Sequence, residues 1–174
     1  MDFDVATNLA AYGKTQGVLP DRLEETGEQY REQDHLTRDQ LYDLAYATAT
    51  RSAYHVKTNP RDRCREVTEN VRRVTGEFSK VSLLTGLSGF KAPMASAVLT
   101  ALDPERHAVV DTRVWAHLER LGHVEGRKES FDAGDYVTMI EPIREIAAET
   151  TYSVAEVGYA LFAADVNARD GTLH

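Results

Sequence analysis

Apolar residues in this chain recur at every third or fourth position and rarely at every second, a rhythm that restricts it to a helical fold. Thr37-Arg-Asp-Gln40 is a capping box, in which a hydroxyl and an amide side chain close the first turn of a helix reciprocally. Leu41, Leu44, Ala45, Thr48 and Ala49 follow at helical spacing. Ser153-Val-Ala-Glu156 repeats the signal, ahead of an inward face of Val154, Val157, Leu161 and Ala164. Between them, Asn59 before Pro60 predicts an N-cap with proline at the first helical position. Val67, Val71 and Val74 then form one face, and Gly76 stops the helix. A short helix over 78–85 turns Val81 and Leu84 inward. Another over 92–102 starts at Pro93, buries Met94, Ala95, Val98, Leu99 and Leu102, and ends at Asp103-Pro104. Asp111 opens a helix with Val114, Trp115, Leu118 and Leu121, which Gly122 closes. Residues 136–149 carry Met139, Ile140, Ile143, Ile146 and Ala147 on a further helix, while 123–135 read as a loop. Residues 1–36 are less defined: Val5, Leu9 and Tyr12 suit one amphipathic helix, but Gly13, Gly17 and Pro20 interrupt it. No repeat or linker divides the sequence, so the expectation is a single all-α domain over 1–174.

A chain of 174 residues, 42% of them hydrophobic, can bury an ordinary core. No apolar run approaches the ~20 residues of a membrane span, and the opening Met-Asp-Phe-Asp lacks a basic-then-apolar leader pattern. The expectation is a soluble, cytoplasmic protein that does not engage a membrane. Cys64 is the only cysteine, which excludes an internal disulfide or a four-cysteine iron–sulfur cluster. The six histidines show no zinc-type spacing, so no metal site is expected. The net charge of −8 argues against a general coat for nucleic acids, but its distribution is uneven. Residues 51–91 hold nine Lys/Arg against four Asp/Glu, whereas the remainder holds eleven against twenty-four. A local basic segment on an acidic body suits a directed phosphate contact, but charge alone favours a solvated helix face.

The most informative stretch is Leu83-Leu-Thr-Gly-Leu-Ser-Gly-Phe-Lys-Ala-Pro-Met-Ala-Ser-Ala-Val-Leu99, followed by Ala108-Val-Val-Asp-Thr-Arg-Val-Trp115. It resembles the helix-hairpin-helix core of the DNA glycosylase superfamily, whose pattern is Leu-Pro-Gly-Val-Gly-x-x-x-Ala-x-x-Ile, then about ten residues, then Val-Asp-Thr-x-Val. Leu87 and Gly89 match the leucine and first glycine, Phe90 the apolar tip, Ala95 the alanine and Asp111 the aspartate. Glu156-Val-Gly-Tyr-Ala-Leu-Phe162 is similar to the family's final helix. The resemblance extends over about 59–165. It implies a glycosylase-like helical domain that binds DNA, with Asp111 as the catalytic carboxylate and Gly89, Phe90 and Lys91 as the phosphate-binding hairpin. It implies no organic or redox cofactor, with a monovalent cation as a possible bridge at the hairpin.

The physical chemistry suits that reading. A tight turn between two short helices presents backbone N–H groups to a phosphate oxygen, and Gly89 supplies the left-handed conformation such a turn needs. Lys91 stands where the pattern has its second glycine. Pro93 stands where members that also cleave the strand place a Schiff-base lysine, so lyase chemistry is not expected, and Lys91 is expected to point elsewhere on the helix. Asp111 has two readings, an N-cap for the helix it opens and a carboxylate that stabilises the charge developing at C1′. Tyr54, His55 and Lys57, in a loop ahead of the hairpin, combine aromatic and basic character suited to a DNA-facing surface. Trp115 reads as core, and His107 and His117 as surface or satisfied core histidines. Two other functions stay open: a non-catalytic nucleic-acid-binding module, and a protein-interaction domain on the same scaffold.

Overall fold

A computed structural model describes residues 3–15 and 18–170. The helices are α1 (Val5–Thr15), α2 (Val18–Gln33), α3 (Arg38–Thr48), α4 (Arg61–Val71), α5 (Glu77–Thr85), α6 (Ala92–Leu102), α7 (Thr112–Arg120), α8 (Ala133–Ala148) and α9 (Val154–Asp170). A short 3-10 helix, Ala53–Thr58, lies between α3 and α4. The described residues form one all-helical domain without a strand. None of their helices is long and apolar enough to cross a membrane.

The fold is built round α6. Its sequence, Ala-Pro-Met-Ala-Ser-Ala-Val-Leu-Thr-Ala-Leu, has no charge, and it is buried on nearly every side, as a helix apolar all round must be. Its hydroxyls are satisfied locally: Ser96 Oγ donates to Pro93 O at 2.6 Å and Thr100 Oγ1 to Ser96 O at 2.7 Å. Helices α2, α3, α5 and α8 pack on it, while α1 and α7 pack on α9, which also meets α8. Burying α6 needs close approach. A Cβ on Gly27 of α2 would lie 2.0 Å from Ala101 O, so only glycine fits. Arg31, one turn on, donates to Ala101 O and Leu102 O (both 3.1 Å) and closes the end of α6.

Both predicted capping boxes form, at Thr37 with Gln40 and at Ser153 with Glu156. Several boundaries differ from expectation. The N-terminal region is not one broken helix but two, because α1 runs through Gly13 and Pro20 falls in the first turn of α2, where a missing N–H costs nothing. Gly17 lies outside the described residues. Gly76 does not stop α4, which ends at Val71; it is the N-cap of α5. The buried face of α4 is Cys64, Thr68 and Val71, since the Thr68 hydroxyl is held by Cys64 O (2.8 Å) and accepts from Leu36 N (2.9 Å). Helix α8 begins at Ala133 inside the expected loop. Asp132 and Asp135 close a box there, an aspartate standing where glutamate or glutamine is usual.

Candidate active-site cavity

The turn joining α5 to α6 is held from outside. Asn59 does not cap α4; its extended, buried backbone hands that position to Pro60. The Asn59 side chain instead accepts from Ser88 N at 2.8 Å and donates to Ser88 O at 2.9 Å, clamping the turn's backbone. It also donates to Val56 O at 3.0 Å, tying the 3-10 helix to the same point. Residues 53–58, expected as a loop, are therefore an ordered wall. Gly89 sits at φ +85°, and a Cβ on it would lie 2.9 Å from His55 Cβ, so both conformation and space require glycine. Phe90 is buried and its N–H donates to Leu87 O at 3.2 Å. Among the described residues the N–H groups of Gly89 and Lys91 have no protein acceptor, and they stand at the N-terminus of α6.

Asp111 is placed by three elements. Ser96 Oγ of α6 accepts from Val110 N at 3.0 Å, pinning the extended segment ahead of Asp111 to the second helix of the turn. Gly158 of α9 lets that segment lie close, since a Cβ there would come within 2.8 Å of Ala108 Cβ. Helix α7 then fixes the side chain: Oδ1 accepts from Arg113 N at 3.0 Å and Val114 N at 2.9 Å. The second oxygen takes no hydrogen bond from the described residues. Burial pushes the carboxyl above its ordinary value, against the two amide bonds and the Arg113 charge that pull it down.

These pieces enclose one cavity of about 660 Å³. Gly89, Phe90, Lys91 and Pro93 form one part of its wall and Asp111 another. His55 and Thr48 close the side toward the 3-10 helix and α3. Tyr12, Tyr159 and Phe162 close the side toward α1 and α9. Tyr12 stacks on Tyr159 with centroids 4.8 Å apart and meets Phe162 edge-on at 5.7 Å. Burial, and then the charge of Asp111, push the Tyr12 hydroxyl up to about 12. A mostly apolar pocket with few polar groups is the usual form of a small-molecule or base site, for which roughly 300–1,000 Å³ is typical.

The structure thus brings together Gly89, Phe90, Lys91, His55 and Asp111. Lys91, expected in the phosphate-binding hairpin, is the N-cap of α6 and contributes to the wall. Tyr54 and Lys57 are outside the wall. The Tyr54 ring lies against His55 with centroids 4.0 Å apart, and Lys57 Nζ sits 4.1 Å over the Tyr42 ring. Trp115 is core, its Nε1 donating to Gly126 O at 2.6 Å. His107 and His117 are buried outside the cavity. The basic excess of 51–91 is partly spent on ion pairs, of Arg61 with Asp39, Arg65 with Glu69 and Arg72 with Asp34. The sequence reading missed Tyr12, Tyr159 and Phe162 as wall residues. The spacing of Val5, Leu9 and Tyr12 showed that α1 had an apolar face, but not that its tyrosine met α9. Among the described residues, no group of three or more His, Cys, Asp or Glu could hold a metal ion. No known protein family, curated protein or solved structure matches the chain.

Proposed function

We propose that this chain binds DNA through the turn at Gly89–Lys91 and hydrolyses the N-glycosidic bond of a base turned out into the cavity, as a monofunctional DNA glycosylase. One observation carries the reading: the turn and Asp111, whose second oxygen takes no hydrogen bond from the described residues, line the same cavity. The free N–H groups of Gly89 and Lys91, beside the α6 N-terminus and the Lys91 charge, suit a phosphate oxygen. A nucleotide held there has its sugar toward the carboxylate and its base among aromatic rings. In the step itself the C1′–N bond breaks and its electron pair leaves with the base, which takes a proton. Positive charge grows at C1′ and the ring oxygen, opposite Asp111. The oxygen of a water bonds to C1′ and gives up its proton to the carboxylate or to solvent. Pro93 offers no amine for a Schiff base, so the strand is left uncut.

Incubation with duplexes and single strands carrying uracil, alkylated or oxidised bases, then heating in alkali, reveals abasic sites as strand breaks. Breaks with at least one lesion, lost in Asp111→Asn, are expected. Absence of breaks with every lesion, or equal breaks with both proteins, removes the enzymatic part. The commitment of Oδ1 to capping favours a second reading, a DNA-binding module without catalysis. That reading predicts salt-sensitive binding, weakened by Lys91→Glu and indifferent to Asp111→Asn.

A further inference from the structure

Three arginines converge on one carboxylate next to the cavity. Asp165 of α9 is wholly buried. Its Oδ1 accepts from Arg120 Nη1 of α7 at 2.7 Å, and its Oδ2 lies 2.8 Å from Arg169 Nε and 3.5 Å from Arg113 Nη1 of α7. A buried carboxylate needs a partner, but one guanidinium neutralises it. Arg120 alone supplies that charge and ties α7 to α9, whereas the Arg169 bond lies within α9 and ties no two elements together. The three cations therefore exceed the one anion, on a chain whose net charge is −8. Of the other described carboxylates on α7 and α9, Glu156 accepts from Ser153 N at 3.1 Å, and Glu119 is exposed about 100° round α7 from Arg120.

The arginines are held without being enclosed: the side chains of Arg113, Arg120 and Arg169 are 38%, 34% and 53% exposed. Each guanidinium has five N–H groups, more than a shared carboxylate can engage. A buried anion thus orients planar forks of the kind that match phosphate oxygens. The cluster also adjoins the cavity. Gly158, Phe162, Asp165 and Arg169 follow at spacings of four, three and four, which places them on one face of α9, and the first two line the cavity. The Arg113 guanidinium lies 5.6 Å from the centre of the Phe162 ring, and Arg113 N donates to Asp111 of the cavity wall.

Resting on the nucleic-acid reading of the cavity, we infer that Arg113, Arg120 and Arg169 form a second phosphate site, which takes a backbone phosphate of the strand whose nucleotide enters the cavity. The turn at Gly89–Lys91 holds one phosphate and the arginines another, so the nucleotide is fixed through two points of its strand.

Replacing Arg113 and Arg169 together by glutamine removes the excess charge and leaves the Arg120–Asp165 pair, so this double variant should melt close to wild type. Fluorescence anisotropy with a short oligodeoxynucleotide duplex carrying one central mismatch reads binding from about 50 to 200 mM salt. The double variant should bind about three- to tenfold more weakly, with a slope of log Kd against log salt smaller by about 0.9, the share of one phosphate. Methylphosphonates placed one at a time along the strand locate the contact. One neutral linkage should weaken wild type but not the double variant, and it should differ from the linkage coupled to Lys91→Glu. Arg169→Gln, the most exposed of the three, repeats the measurement should the double variant melt far below wild type. A folded double variant that binds and responds to salt like wild type, while Lys91→Glu weakens binding, overturns the arginine site and leaves the turn's role standing. No binding by wild type at the lowest salt removes the nucleic-acid reading and the site with it. Inorganic phosphate that raises the melting temperature of wild type but not of the double variant, with no coupled linkage in the strand, gives the cluster to a free phosphate and overturns the strand assignment.

Discussion

The two oxygens of Asp111 are divided between two roles. Oδ1 carries both capping bonds from α7, and the other oxygen takes no hydrogen bond from the described residues. The cap locks the rotamer, so on the proposed reading the carboxylate needs no further ordering to meet a substrate. Burial raises its pKa, which means that the folded chain favours the neutral acid and carries a penalty for charge at neutral pH. That penalty shrinks as pH falls below the raised value and is gone below the ordinary one. Substitutions separate the roles. Asparagine keeps a capping oxygen and removes the charge, so Asp111→Asn should melt at or above the wild-type temperature at pH 7 while losing any glycosidic cleavage. Asp111→Ala removes the cap as well and should melt lower, by about 1 kcal/mol of stability. Differential scanning calorimetry of the three proteins reads the difference; an Asp111→Asn protein that melts well below wild type contradicts the division. The sequence showed this aspartate as a cap and as a motif residue. It could not show that one oxygen sufficed for the cap.

At the scale of elements, the device that matters is the joint between the 3-10 helix and the turn after α5. Neither piece is rigid alone, because a six-residue 3-10 helix and a short turn have few internal bonds. Asn59 makes them one unit. Removing its side chain leaves Ser88 N–H and C=O without partners in a half-buried place, at about 1–3 kcal/mol each. Asn59→Ala should therefore lose about 2–4 kcal/mol, a Tm decrease on the order of 5–10 °C. Gly89→Ala should lose about 1–3 kcal/mol through its positive φ and the approach of His55. Chemical denaturation checks both, and a loss under 0.5 kcal/mol for Asn59→Ala contradicts the joint. The helices themselves were legible because their apolar periodicity and capping boxes are local signals. Asn59 misled because Asn-Pro is a good cap by local rules. Its amide had a better partner twenty-nine residues away, and a tertiary bond overrode the local one. Gly76 misled for a related reason: glycine serves at either end of a helix, and only packing decided which.

The whole molecule is an acidic body with its cavity where α1 and α9 face α3 and the turn. Its excess of carboxylates makes any DNA contact depend on a few cations near the cavity rather than on overall charge. One contribution to acid stability lies away from the cavity. His107 is buried beside Tyr136, its Nδ1 2.5 Å from the Tyr136 hydroxyl. Burial first, and then the charges of Arg144 and Lys80, hold its pKa down at about 3, against the opposing pull of Glu77. The unfolded chain takes up a proton below the ordinary value of about 6.5, which the folded chain refuses until about 3. Stability should hold above pH 6.5 and fall as pH drops from there toward 3. Urea midpoints from pH 7 to pH 4 should fall less steeply in His107→Gln than in wild type, and parallel slopes contradict the assignment. By itself, the sequence determined the helical class, most element cores, the turn and its spacing to Asp111, since these depend on periodicity, caps and glycine within a few neighbouring residues. Only the tertiary structure decided that Tyr12 would close a cavity with Tyr159 and Phe162, that Ser96 and Gly158 would hold the segment ahead of Asp111 so that it lines the same cavity as the turn, and that Tyr46 and Tyr54 would stay in water. Those outcomes depend on which distant surfaces meet, and packing sets that through many weak contacts that no short stretch of sequence encodes.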